Sequence, residues 1–176
     1  MKKEKSMSAI DLIVLGMLKQ EPLSAYDMQK QVEYRNVSRW VKISTPSIYK
    51  KVIQLEEKGL VESHTKKEGK MPEKTIYSIT AKGAQEFERL MLAIAEEPIH
   101  IFLDFNAVIV NLQSLPEEQQ RLCLEKIRKN VMDMKGELEE NIRQKEHVPT
   151  IPAAGMAVLR QQYMLIQAVE AWLESL

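Results

Sequence analysis

A mainly α-helical chain with one small β-hairpin in its first half is what the sequence predicts, on three observations. Residues 44–60 read as a helix that carries its own start and stop signals. A short run, Leu60–Thr65, and an alternating one, Thr75–Ile79, flank a stretch rich in turn residues and lysine, as the strands of a hairpin do. From Glu96-Glu97-Pro98 onward, apolar residues recur at spacings of three and four as far as Leu176, the period of helices that bury one side.

Ser8-Ala9-Ile10-Asp11 has the spacing of a capping box, with Asp in place of the usual Glu. It opens a helix to about Lys19 that faces inward through Ile10, Ile13, Val14, Met17 and Leu18. Glu21-Pro22 ends it. Ser24-Ala25-Tyr26-Asp27 repeats the spacing and opens a shorter helix with Met28 and Val32 inward. A loose segment over 33–43 follows, in which Trp40 is expected as a core plug beneath the third helix.

In that third helix Thr45 is placed to cap the free N–H groups, and Pro46 suits the first helical position because it has no N–H to lose. Ile48, Val52 and Leu55 repeat at four and three and face a core. Gly59 can take the left-handed conformation that closes a helix, with Leu60 falling back on Leu55. The far face holds Ser47, Lys50 and Gln54, with Tyr49 and Lys51 at the flanks. Taken alone, this is an ordinary amphipathic surface helix. Its short polar, basic and amide side chains also suit a DNA major groove, where Gln pairs with adenine and Lys with guanine.

The hairpin that follows carries Lys66, Lys67, Lys70 and Lys74 in and beside its turn. Thr80-Ala81-Lys82-Gly83 then starts a helix to about Ala95, with Phe87, Leu90, Met91 and Ile94 on its buried side. Three helices, a basic-tipped hairpin and a further helix are the order of a winged helix-turn-helix domain, assigned to residues 1–95.

Four motifs in the right order resemble the PadR family of bacterial transcriptional regulators: Ser24-Ala25-Tyr26-Asp27-Met28, Ser44-Thr45-Pro46-Ser47-Ile48-Tyr49, Leu55-Glu56-Glu57-Lys58-Gly59-Leu60-Val61 and Tyr77-Ser78-Ile79-Thr80-Ala81-Lys82-Gly83. The resemblance covers roughly the first 95 residues and implies a winged helix that binds DNA. Two departures stand out. Ala25 sits where the family often has Gly, and the wing turn is Lys70-Met71-Pro72 in place of a Gly-Arg-Pro type. Lysine supplies charge at such a tip without the planar fork of arginine.

Residues 96–176 are assigned to a helical dimerisation domain. Ile101, Phe102, Phe105, Val108, Ile109 and Leu112 predict one apolar helix. Ser114-Leu115-Pro116-Glu117 predicts a capping box at the start of the next, whose seam is Leu124, Ile127, Val131, Met134 and Leu138. Pro149 and Pro152 break it. The last helix, from about Ala153 to Leu176, carries Val158, Leu165, Val169, Trp172 and Leu176 on one stripe, with Leu159, Ile166 and Leu173 beside it. A stripe that wide exceeds what one neighbouring helix covers and predicts packing against another subunit. This half also looks like the long helical C-terminal region of the branch of the same family that includes virulence activators.

Composition narrows the function classes. The 176 residues are 44% apolar and 28% charged, which is globular rather than disordered. No run of eighteen apolar residues occurs, so no membrane span or membrane partner is expected. Met1-Lys2-Lys3-Glu4-Lys5-Ser6 reads as a solvated tail, and the single Cys123 suits a reducing cytoplasm. The net charge is zero, but residues 1–95 hold 17 Lys and Arg against 12 Asp and Glu, a net of +5, and residues 96–176 hold 8 against 13, a net of −5. Such asymmetry is expected when one half meets a polyanion.

His64, His100 and His147 stand too far apart for a metal site, and neither a phosphate-binding glycine loop nor a nucleophile with triad partners is present. No enzyme, cofactor or metal is therefore expected. Met17, Met28, Met91 and Met134 fall on expected core faces, and Cys123 reads as a structural thiol rather than a redox sensor. Phe102, Phe105, Tyr163 and Trp172 read as packing aromatics before they read as an effector pocket.

The combined expectation is a cytoplasmic transcription regulator, a repressor, that binds double-stranded DNA as a homodimer, with an unidentified small-molecule effector left open as a further partner. Ser47, Lys50 and Gln54 would approach base edges. Thr45, Tyr49 and Lys51 would contact phosphates, Tyr26 and Pro46 complete the contact set on the helices, and Lys66, Lys67, Lys70 and Lys74 hold the flanking backbone. The rival is a winged-helix interaction module without DNA binding, for which acidic residues at the groove-facing positions would have spoken.

Overall fold

The computed structural model describes residues 8–37, 40, 41, 46–66, 73–149 and 151–176. The chain divides into two compact units, one ending at Ile99 and one beginning at His100.

In the first unit, α1 (Ala9–Gln20), α2 (Ala25–Tyr34) and α3 (Pro46–Glu57) precede a hairpin of β1 (Val61–Lys66) and β2 (Lys74–Ile79), and α4 (Ala81–Ala95) follows. The Ser8–Asp11 box forms at the head of α1: the Ser8 N–H donates to Asp11 Oδ2 at 2.6 Å. At the head of α2 the Ser24 hydroxyl accepts from the Asp27 N–H at 3.1 Å. Asn36 takes the left-handed conformation (φ 50°) after α2, and this turn drives Val37 into the core. Trp40 does not plug the core as expected. It sits one turn past Val37, 40% exposed, because Val37 already fills the site.

The strands pair antiparallel from Val61 opposite Ile79 to Lys66 opposite Lys74. Leu23 adds an isolated bridge, exchanging both backbone bonds with Tyr77 at 3.1 and 2.9 Å. The α1–α2 connection is thereby stitched to the wing. One core gathers α1 (Val14, Leu15, Leu18), α2 (Met28, Val32), α3 (Ile48, Val52, Leu55) and Leu90 of α4. Met91, expected beside Leu90, is exposed. The stripe Gly83, Phe87, Leu90 and Ile94 turns inward, and Met91 lies about a hundred degrees around the helix from Leu90.

The second unit holds α5 (Asn106–Asn111), a short 3₁₀ turn (Leu112–Ser114), α6 (Glu117–Lys145) and α7 (Ala153–Glu174). The expected helix from Ile101 is cut to its second half. Ile101 and Phe102 find nothing in this unit to bury them, and a short helix without a packed face gains too little to form. Phe105 and Ile109 do reach the core. Ser114 is not the cap of α6. Leu115 precedes a proline, which pushes it into extended backbone (φ −109°, ψ 153°) and moves the start to Pro116.

Helices α6 and α7 run antiparallel, with Lys135 Nζ 2.7 Å from Glu170 Oε2 and the Tyr163 hydroxyl donating to Glu139 at 2.6 Å. Their shared core is Ile127, Val131 and Leu138 against Ile166 and Leu173. Met134, expected in that seam, is 41% exposed at the edge of the face that carries Val131 and Leu138. Cys123 is half-buried.

Candidate nucleic-acid interface

The interface is built on α3, whose inner face of Ile48, Val52 and Leu55 is wholly buried. Its outer face is fixed by that burial. Tyr49, Lys50, Ile53 and Glu57, spaced at three and four, stand exposed. The observed outer face is turned by part of a turn from the expected one. Lys50 lies at its centre, but Gln54 is half-buried at the edge. Ile53, 48% exposed, stands one turn on from Lys50 on this face, a position that sequence reading missed. The signal was there: with Ile48 and Val52 taken as the inner line, Ile53 falls on the opposite side.

Lys51 is turned away from solvent. Its Nζ lies 2.9 Å from Asp11 Oδ1, with the two side chains 19% and 3% exposed. Sequence reading expects Lys51 on a phosphate; in the structure its ammonium faces this carboxylate instead of solvent. Pro46 and Ser47 supply the first helical residues of α3, and Thr45 lies outside the described residues.

The carboxyl end of α3 is held by the start of α4. Gly59 adopts φ +68°, the Gly59 N–H donates to Glu56 at 2.8 Å, and the Leu60 N–H donates to Leu55 at 2.9 Å, a complete Schellman ending. The Thr80 hydroxyl donates to the Gly59 carbonyl at 2.9 Å and accepts from the Gly83 N–H at 3.0 Å. Lys82 Nζ donates to the Lys58 carbonyl at 2.8 Å, placing a cation where the helix dipole is negative. Gly83 packs so tightly that a Cβ there would stand 2.0 Å from the Leu60 carbonyl oxygen. Two of the sequence motifs, Leu55–Val61 and Tyr77–Gly83, are thus the halves of one clasp.

Helix α2 adds Tyr26, exposed, with Lys30 Nζ 5.5 Å over its ring. The wing is tied to the same helix: Lys74 Nζ lies 2.8 Å from Asp27 Oδ2. The Lys74 ammonium bonded to it holds the Asp27 carboxyl below its ordinary value of 3.8. Lys66 ends β1, and Lys67 and Lys70 lie outside the described residues. Of the twelve expected contact residues, Tyr26, Tyr49 and Lys50 stand exposed as expected, while Lys51 and Lys74 are ion-paired.

In the second unit, Leu165 and Trp172 of α7 and Leu176 just past its end are exposed, with Val158 and Val169 half-buried. Trp172 stacks on Phe105, centroids 6.0 Å apart. Phe102 is 83% exposed and stacks on His100 instead. The four aromatics do not form one pocket wall. Among the described residues no group of His, Cys, Asp or Glu could hold a metal ion, and no helix is long and apolar enough to cross a membrane.

A helix-turn-helix whose second helix presents an exposed face of Tyr49, Lys50 and Ile53, with Glu57 at its carboxyl end, followed by a hairpin wing, defines a winged-helix protein. Residues 14–89 match the model of the transcriptional regulator PadR-like family. Among solved structures, Bacillus subtilis PadR in complex with operator DNA superposes with a TM-score of 0.78 at 21% identity, covering 94% of this chain and 95% of that one. Bacillus subtilis PadR in complex with p-coumaric acid gives 0.75 at 18% identity, over 94% and 92% of the two chains. The Vibrio cholerae virulence activator AphA gives 0.69 at 17%, over 95% of each. At these identities the likeness is one of fold, and it extends over both units. No curated protein matches the chain in sequence.

Proposed function

We propose that this chain is a sequence-specific repressor that reads an inverted-repeat operator as a homodimer. The observation that carries the DNA reading is the outer face of α3, with Tyr49, Lys50 and Ile53 exposed on a helix whose other side is locked in a core. In this reading Lys50 meets a guanine, Ile53 meets a thymine methyl, and Gln54 reaches in from the edge. Tyr26 and Tyr49 touch phosphates, as do Lys66, Lys67 and Lys70 of the wing. The +5 balance of residues 1–95 supports a polyanionic partner.

Pairing of two chains through the exposed line of α7 would let two α3 helices read half-sites about one helical turn of DNA apart, as an inverted repeat requires. The compartment is the cytoplasm, where Cys123 stays reduced. A small-molecule effector belongs to the same proposal by analogy with the p-coumaric acid complex of the Bacillus subtilis neighbour.

The test is selection of duplexes from a random-sequence pool, followed by mobility shifts at fixed salt. Lys50→Ala should weaken the selected site by about 1–3 kcal/mol and leave a scrambled duplex unaffected, since it removes one base contact. Equal binding by the variant would remove α3 as the reader. Failure of the wild-type chain to bind any duplex would favour the interaction module.

A further inference from the structure

We infer that Lys51 is a positioning residue: its ammonium, bonded to the buried Asp11 of α1, fixes the rotation of α3 about its own axis and touches no phosphate. The inference rests on the DNA-reading role proposed above for α3. Asp11 is 2% exposed, and both of its carboxylate oxygens are engaged. Oδ2 takes the Ser8 N–H at 2.6 Å and the Ser8 hydroxyl at 3.0 Å, and Oδ1 faces Lys51 Nζ at 2.9 Å. A carboxylate this deep must be paired, and Lys51 is the cation that reaches it.

The geometry gives the pair a job that apolar packing does badly. Ile48, Val52 and Leu55 hold α3 against the core through contacts without direction, which tolerate small rotations. An ion pair between two helices is directional. Lys50 and Lys51 are neighbours, so they project about a hundred degrees apart. With Lys51 held on α1, Lys50 and Ile53 must face outward. Without the pair the core and the clasp still hold the helix, but small rotations are less restrained, and the base contacts lose aim while the charge of the surface barely changes.

Phosphate contact and positioning leave different marks. A lysine on a phosphate contributes about 0.9 to the slope of log affinity against log salt and acts on all sequences alike. A positioning pair acts on the ratio of specific to scrambled binding. The experiment compares wild type, Asp11→Asn, Lys51→Met and the double variant on a duplex selected from a random pool and on its scrambled counterpart. Binding is followed across a salt series, well below each melting temperature.

The expected result is an unchanged salt slope for Lys51→Met, with the specific-to-scrambled ratio reduced by about tenfold, the cost of one misdirected base contact. Asp11→Asn, at a carboxylate too buried to reach DNA, should lower the ratio similarly. Should Lys51→Met fail to fold with Asp11 left uncompensated, the double variant buries no charge and gives the same reading. A slope lowered by about 0.9 in Lys51→Met would overturn the inference in favour of a phosphate contact. So would a ratio unchanged in the variants. A wild-type chain without affinity for duplex DNA would bring down the proposed function itself, a result distinct from both.

Discussion

At the scale of single residues, the outer face of α3 makes a chemical forecast. Lys50 and Ile53 are one helical turn apart and point the same way, so a base read by one neighbours a base read by the other. An exposed isoleucine gains from burial against a thymine methyl and from little else in a groove. Replacing the thymines of a selected operator by uracil, one at a time, should identify one position where wild type loses affinity and Ile53→Ala does not. If every position weakens both proteins equally, Ile53 is not in the groove. A second forecast concerns Gly83. Gly83→Ala would set a methyl 2.0 Å from the Leu60 oxygen, so the clasp between α3 and α4 must open. A lowered melting temperature together with weaker operator binding is expected, and calorimetry beside a mobility shift measures both.

Among elements, the wing offers two tests. Changing Lys66, Lys67 and Lys70 to Gln should flatten the salt dependence by about 0.9 for each phosphate the wing no longer touches, equally on all sequences. Lys74 behaves differently because Asp27 holds it, at 2.8 Å, against α2. The folded-state pKa of Asp27 is depressed, so its contribution to stability is complete above the ordinary value of 3.8 and is lost as pH falls through the lower folded value. Asp27→Asn should therefore be less stable than wild type at neutral pH, with the difference vanishing in strong acid. Parallel urea titrations from neutral pH down into strong acid would reveal it.

The elements also separate what was legible in the sequence from what was not. Caps and stops are local chemistry. Ser8 with Asp11, Ser24, Gly59 and Thr80 all act where their spacing put them, and the winged order of helices and strands followed from them, whereas the Ser114 box gave way to Pro116. The errors came where a neighbour decides. Trp40 lost its core place to Val37, Met91 and Met134 lay beyond the reach of the covering helix, and the helix expected from Ile101 had no face to pack on. Lys51 looked like any basic residue on a flank, because nothing local reveals that a buried Asp11 stands across from it.

For the whole molecule, assembly is the leading question. The inner line of α7, Leu159, Ile166 and Leu173, closes on α6, whereas Leu165, Trp172 and Leu176 remain exposed beside it. Removing α7 entirely would also uncover Ile127, Val131 and Leu138, so truncation confounds folding with pairing. Leu165→Glu with Leu176→Glu leaves the inner line untouched. Charges on an apolar interface should convert a dimer to a monomer in sedimentation equilibrium at micromolar protein, with helix content retained. Dimers that survive both substitutions would exclude this line as the pairing surface.

The separation between α6 and the residues that cover it also has a meaning in time. The first core is complete once Leu90 has been made, whereas Ile127 waits for Leu173, which is synthesised much later. At roughly 5–20 residues added per second, the apolar stripe of α6 stays bare for several seconds on every ribosome. On neighbouring ribosomes of one message, nascent chains with folded winged units and bare α6 stripes stand side by side during that interval.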